Sequence, residues 1–384
     1  MRQRVLSVLL VFVLLSTASA APLEAEPPFE TDCVSAILLE PLSGQIIFEK
    51  NADEKRPVAS IVKMMTILLA LEAFESGRAS PEDVVVVSEN ASGMGGSQVL
   101  LDTGEEQKLG TLVKCMIVAS ANDAAVAVGE HLYGSVKLCV ARMNERAEEL
   151  GMQNTRFVNC TGLPAEGQYT TARDVALLSQ ELFAHEGYFE YSTIWLDELP
   201  HPDGRMTQLT NTNRLIRLYA GCDGGKTGST NEAGYCISAT AQRDGMRLIA
   251  VVLGSPTGKV RFSTAQSILD HGFANYTLYP VAQLGAGLVQ KLPVTGSALE
   301  EIGLRLGKEL TLLIEKGEQG QIELRPSLPE SVAAPVAEGA VVGSVEIWKD
   351  GALVGSVPVE ASESADRRSF ADGARKVLEK WIYK

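Results

Sequence analysis

Apolar and polar positions divide this chain into a short alternating opening, a helical middle and a β-rich remainder. Ser35–Leu39, a turn at Leu42-Ser43-Gly44 and Gln45–Phe48 read as a hairpin. A polar turn from Lys50 to Arg56 then leads into an apolar segment that opens at Pro57 and ends at Gly77, which is helix length with a glycine stop. Further helices are expected over Leu109–Val118, Asp123–Leu132, Val136–Leu150 and Ala172–Phe183. From Gly221 the period changes. Gly234–Thr240, the turn Arg243-Asp244-Gly245 and Arg247–Leu253 predict strand, turn and strand, and Phe262–Phe273 a last helix. Strands at both ends with helices between them imply an α+β domain, in which one antiparallel sheet pairs its first and last strands and is covered by helices. Beyond about Tyr276, Leu310–Ile314, Gln321–Leu324, Ser344–Trp348 and Leu353–Val357 predict a second, smaller all-β domain.

The two ends read differently. Arg2 and Arg4, an unbroken apolar run from Val8 to Leu15 and the small residues Ala18-Ser19-Ala20 predict a signal peptide cut after Ala20; an uncleaved membrane anchor is the alternative. At the other end Ser369 can cap a helix with Phe370, Ala374, Val377, Leu378, Trp381 and Ile382 on one face and Arg375, Lys376, Lys380 and Lys384 on the other. That pattern suits an anionic membrane surface, or else docking on the β domain. The expected organisation is a signal peptide at 1–20, a catalytic domain at 30–276, a β domain at 277–362 and an amphipathic helix at 367–384.

A length of 384 residues with 45% hydrophobic content can bury a sizeable core. The net charge of −14 argues against a nucleic-acid partner, since binding a polyanion needs a basic surface. The six cysteines are too few and too scattered for a disulfide scaffold and show no metal-ligand spacing. Cys222 and Cys236 are the pair to test for a bridge.

Three motifs occur in order: Ser60-Ile61-Val62-Lys63, Ser120-Ala121-Asn122 and Lys226-Thr227-Gly228. Each has a bland alternative. Ser60 and Asn122 could be helix caps, and Lys226-Thr227-Gly228 a surface turn. Three apart on a helix, however, Lys63 can reach the Ser60 hydroxyl, and a serine hydroxyl is a weak nucleophile until a base takes its proton. Lysine can be that base only where burial or nearby positive charge lowers its pKa, and Lys63 sits in an apolar run. Ser120 can relay a proton toward a leaving nitrogen, and Asn122 can hold a substrate amide and Lys63. Gly228 permits close approach of a substrate along a strand edge, and the N–H groups of Ser60 and Ser229 could form an oxyanion hole.

This set resembles that of the serine D,D-carboxypeptidases of the penicillin-binding superfamily, relatives of class A β-lactamases. Pro57–Thr66, Ala119–Ala125, Gly167–Ala172 and Asp223–Gly228 look like the carboxypeptidase branch, including its sporulation-associated members, and the similarity runs from about Asp32 to the C-terminus. The resemblance implies that Ser60 is acylated with Lys63 as its base, and that Ser120 and Asn122 form the second motif. Lys226 and Thr227, with Gly228 and Ser229, would lie on the substrate-carboxylate side. Arg261 stands where the family keeps an arginine for the terminal carboxylate of D-Ala; an ion pair at the start of the last helix is the alternative.

The implied substrate is a peptidoglycan stem peptide ending in D-Ala-D-Ala, the implied inhibitor a β-lactam, with no metal or cofactor. The family's amphipathic C-terminal helices favour the membrane reading of the tail. Ser229 and Tyr169 replace histidines of some members. The Glu-x-x-Leu-Asn motif of class A β-lactamases does not occur between Asn122 and Lys226, and Glu166 sits in a loop of different character, so a penicilloyl adduct should leave slowly. The competing readings are a β-lactamase, a D,D-endopeptidase and a non-catalytic wall-binding protein.

Overall fold

The computed structural model describes residues 31–283 and 285–369, apart from the side chains of Val289 and Gln319. The expected signal peptide and the body of the expected C-terminal helix lie outside the described residues. A five-stranded antiparallel sheet is the frame of the first domain, with strands in the order Gln45–Lys50, Ser35–Glu40, Met246–Ser255, Gly234–Arg243 and Cys222–Thr230. The first strand of this domain thus pairs with its last, Ile37 opposite Val251. Cys222–Thr230 forms one edge.

Both faces of that sheet are covered, which explains why the Arg247–Leu253 run is apolar rather than alternating. Ile37, Leu39, Ile249, Val251 and Leu253 join one buried cluster, with the helices Lys63–Glu75, Leu109–Val118, Asn122–Tyr133 and Ala172–Leu182. Ala36, Leu38, Leu248, Ala250 and Val252 turn the other way, onto Ala265, Ile268 and Leu269 of the helix Gly258–Asn275. At the centre of the first cluster Lys63–Glu75 is buried on nearly every side, from Met64 to Leu71. It is preceded by a 3₁₀ turn over Ala59–Val62 and followed by Gly77 at φ 69°.

The helix Gly258–Asn275 passes directly into the strand Tyr276–Ala282. The second domain is all β: that strand pairs with Leu310–Glu315, and a six-stranded sheet packs Ile302, Leu304, Val345, Ile347, Val357 and Val359 into its own core. The strands Gly287–Thr295 and Glu301–Leu306, and an outlying hairpin of Leu196–Pro200 with Met206–Thr210, were not expected and are found only in the structure. Among the described residues no helix is long and apolar enough to cross a membrane.

Cys222 and Cys236, the pair singled out to test for a bridge, do not form one. Cys236 pairs with Gly228, six positions along the strand from Cys222, which at about 3.3 Å per residue is far beyond disulfide reach. All six cysteines are free and buried.

Candidate active site

The three motifs converge where the edge strand crosses the start of the buried helix. Ser60 is half-buried in the 3₁₀ turn and caps neither it nor the helix, whose N-cap positions are Val58 and Val62. Lys63 has no exposure at all; its Nζ donates to Ser60 Oγ at 3.1 Å and to the Thr161 carbonyl at 2.7 Å. Burial lowers the Lys63 pKa from 10.5 to about 7, with Cys160 and Asp123 pulling weakly the other way.

Ser120 lies between two helices with φ 62°, a left-handed conformation that a non-glycine residue adopts only when its surroundings fix it. Its Oγ accepts from Lys226 Nζ at 2.7 Å. Lys226 is buried in the edge strand rather than in a surface turn, and also donates to its neighbour's carbonyl, Thr227 O, at 2.9 Å. Burial first, then the charges of Lys63 and Arg261, hold the Lys226 pKa well below the ordinary lysine value. Two amines with depressed pKa values thus serve two hydroxyls within one buried cluster.

Asn122 is not a cap either. It is the first residue of its helix, after Ala121, and its Nδ2 donates to the Gly95 carbonyl at 2.7 Å while its buried Oδ1 has no partner. A buried carbonyl oxygen without a donor is costly unless something arrives to supply one.

Gly228 has a different reason from the expected one. A Cβ there would lie 2.5 Å from Val58 O and 2.9 Å from Ser60 N, so the close approach is to the protein's own turn at Ser60 rather than to a substrate. Gly162, at φ 82°, presses on the same turn from the opposite loop, where a Cβ would meet Ala59 O at 2.0 Å. Two glycines therefore hold the backbone of Ser60 between them.

Arg261 is buried in the first turn of its helix. Nη1 donates to the carbonyls of Gly228 and Cys236, both at 3.3 Å, and Nε has no partner. Among the described residues no carboxylate lies within ion-pair distance of it, so the ion-pair alternative is not found. Burial lowers its pKa to about 10. Thr227 Oγ1 donates to Thr212 Oγ1 at 2.8 Å, and Ser229 is exposed at a cavity of about 600 Å³ lined also by Arg56, Tyr235 and Ser255. Glu166 is exposed in its loop. Elsewhere Glu72, Glu181 and His185 lie close enough to hold a cation, but Arg146 already binds both glutamates and Glu75 holds His185.

Sequence reasoning missed the loop that supplies Thr161, and Thr212. Asn159 Oδ1 accepts from the N–H groups of Thr161 (3.2 Å) and Gly162 (2.7 Å), so Asn159-Cys160-Thr161-Gly162 was readable as a side-chain-stabilised turn ending in a left-handed glycine. Its function was not.

The sequence profile of D-alanyl-D-alanine carboxypeptidases, peptidase S11, matches residues 21–257, and that of the penicillin-binding protein 5 C-terminal domain matches residues 277–367. The chain belongs to the D-alanyl-D-alanine carboxypeptidase family. Removal of a C-terminal D-alanine by a serine hydrolase is accordingly its activity. Among its relatives, the D-alanyl-D-alanine carboxypeptidase DacF of Bacillus subtilis is 35% identical over 99% of each chain. DacC of Escherichia coli is 32% identical over 94% of this chain and 90% of its own. Penicillin-binding protein 5 from Haemophilus influenzae superposes on 89% of this chain and all of its own with a TM-score of 0.78 at 28% identity. Both domains of this family member are thus matched together.

Proposed function

We propose that Ser60 is the acylated nucleophile of this carboxypeptidase and Lys63 its base. The observation that carries the reading is the Lys63–Ser60 contact at 3.1 Å to an amine whose pKa lies near 7. A neutral amine in that position takes the hydroxyl proton as Ser60 attacks the carbonyl of the penultimate D-Ala. The N–H groups of Ser60 and Ser229 hold the developing oxyanion. Ser120, bonded to Lys226, passes a proton to the leaving D-Ala nitrogen, and Asn122 Oδ1 accepts from the substrate amide. Thr227, Ser229 and Arg261 bind the terminal carboxylate, which would be the anion that Arg261 lacks. Water then releases the shortened peptide.

Penicillin presents a carbonyl and a carboxylate in the same relation and would acylate Ser60. The exposure of Glu166 and the lack of a Glu-x-x-Leu-Asn motif between Asn122 and Lys226 support slow release. Export through the N-terminal segment, action in the cell-wall space and attachment to the membrane surface by residues 367–384 complete the reading, and rest on the sequence patterns.

The test is mass spectrometry of the protein with benzylpenicillin, alongside D-Ala release from a pentapeptide, for wild type and Ser60→Ala. One penicilloyl adduct on Ser60 with D-Ala release, both lost in the variant, is the expected result. Rapid penicillin hydrolysis without D-Ala release would make the protein a β-lactamase, and no reaction with either ligand would leave a wall-binding role. A cross-linked dimer peptide as third substrate measures the endopeptidase share.

A further inference from the structure

The chemistry proposed above leaves Asp123 unused, although it follows Asn122 directly and has no solvent exposure. Its carboxylate accepts from the N–H of Val99 through both oxygens (3.0 and 3.2 Å), from Leu101 N at 3.2 Å and from Ala124 N at 2.9 Å. Among the described residues no lysine or arginine lies within ion-pair distance of it. Two of the three donors belong to a stretch, Gly93–Glu105, that contains neither helix nor strand and in which Leu100 takes φ 63°.

The same stretch grips Asn122. Asn122 N donates to Ser97 O at 2.7 Å and Asn122 Nδ2 to Gly95 O at 2.7 Å. Between them Gly96 has φ 79°, and a Cβ there would stand 2.9 Å from Asn122 Nδ2. Hydrogen bonds therefore run both ways, with Asp123 fixing positions 99 and 101, and positions 95 and 97 fixing Asn122. An irregular segment with no ladder of its own depends on such bonds for its shape.

We propose that Asp123 is a positioning residue for acyl transfer: its carboxylate fixes the Gly95–Leu101 segment, which turns the Asn122 amide so that Nδ2 is occupied and Oδ1 is left free for substrate. The proposal rests on the role given to Asn122 above. A carboxylate suits the task because it only accepts, whereas the amide of asparagine would set an N–H group against one of the donors. Asp123 also bears on Lys63, favouring its charged form. The other groups that face Lys63 are Lys226 from the edge strand, Cys160 from the loop before Thr161 and the Ser60 hydroxyl.

The experiment measures acylation by benzylpenicillin per titratable site, from about pH 5 to 9, for wild type, Asp123→Asn, Asn122→Ala and the double variant. Counting per site separates slow sites from unfolded protein. Asp123→Ser, which keeps an acceptor and no charge, replaces the asparagine variant if that yields no titratable sites. Asp123→Asn should acylate more slowly by on the order of 10²-fold, the effect of a displaced substrate-holding group. Its acid limb should move to lower pH, and adding it to Asn122→Ala should cost no more than about twofold further. Wild-type rates with an unmoved limb, or costs that multiply in the double variant, would overturn the proposal. An unchanged rate in Asn122→Ala alone would instead remove the role given to Asn122, and the positioning by Asp123 with it.

Discussion

Lys226 Nζ meets Ser120 Oγ at 2.7 Å across 106 positions of sequence, joining the edge strand to the turn between two helices. Removing the hydroxyl leaves a fully buried amine with a single carbonyl partner, Thr227 O. Ser120→Ala should therefore lose about 1–3 kcal/mol of stability, read from thermal or denaturant unfolding, as well as D-Ala release. A loss of activity with unchanged stability would mean that Lys226 finds another acceptor.

As the proposed base, Lys63 should set the pH dependence. Acylation needs its neutral amine, so the rate of penicilloyl formation should rise through about pH 7 and level off above it. A rate independent of pH between 5 and 9 would rule out Lys63 as the base.

The same burial weakens the fold. Because the folded pKa lies below the ordinary 10.5, the unfolded chain holds a proton between about pH 7 and 10.5 that the folded chain lacks, and stability rises with pH across that window. Lys63→Met should be inactive and yet more stable than wild type at pH 7, by on the order of 2 kcal/mol once the unpaired Thr161 carbonyl is allowed for. The difference should shrink toward pH 10. Denaturant midpoints at the two pH values check it.

Arg261 is a buried cation that donates to two carbonyls and lies 4.5 Å from the centre of the Phe262 ring, with no carboxylate in ion-pair reach among the described residues. Arg261→Ala should lower kcat/KM for a peptide with a free C-terminal carboxylate by on the order of 10²-fold, the scale of a lost charge-assisted contact, and change little for the C-terminal amide. Equal losses on both peptides would make its role structural.

Gly228→Ala would place a methyl group 2.5 Å from Val58 O, a backbone atom that cannot move without displacing Ser60. The variant should lose more than about 2 kcal/mol of stability, or fold with Ser60 out of line and penicillin acylation largely abolished. Wild-type acylation at unchanged stability would show that the strand shifts freely.

The sequence was most legible where hydrophobic periodicity is strong. Leu109–Val118 was expected at the bounds where it is found, and the order of strands and helices predicted the helix-covered antiparallel sheet. The strand Gly287–Thr295 escaped notice because its apolar residues do not alternate regularly, whereas Ile302, Leu304 and Leu306 alternate with polar positions and made Glu301–Leu306 readable as a strand that was overlooked. Whether Cys222 and Cys236 are bridged was not legible, because proximity in sequence around a hairpin says nothing of register; the antiparallel pairing sets Cys236 opposite Gly228.

The residue types, their order and the apolar setting of Lys63 were determined by the sequence alone, since three short motifs in that order are far more specific together than any one of them. Tertiary structure decided the rest. It brought the Thr161 carbonyl to Lys63 from a loop 98 positions away, set Ser120 against Lys226 and left Asn122 Oδ1 without a donor. It also gave Gly228 its task against the Ser60 backbone. Such contacts join segments far apart in the chain, and their geometry depends on how helices and sheet pack, which local pattern does not encode.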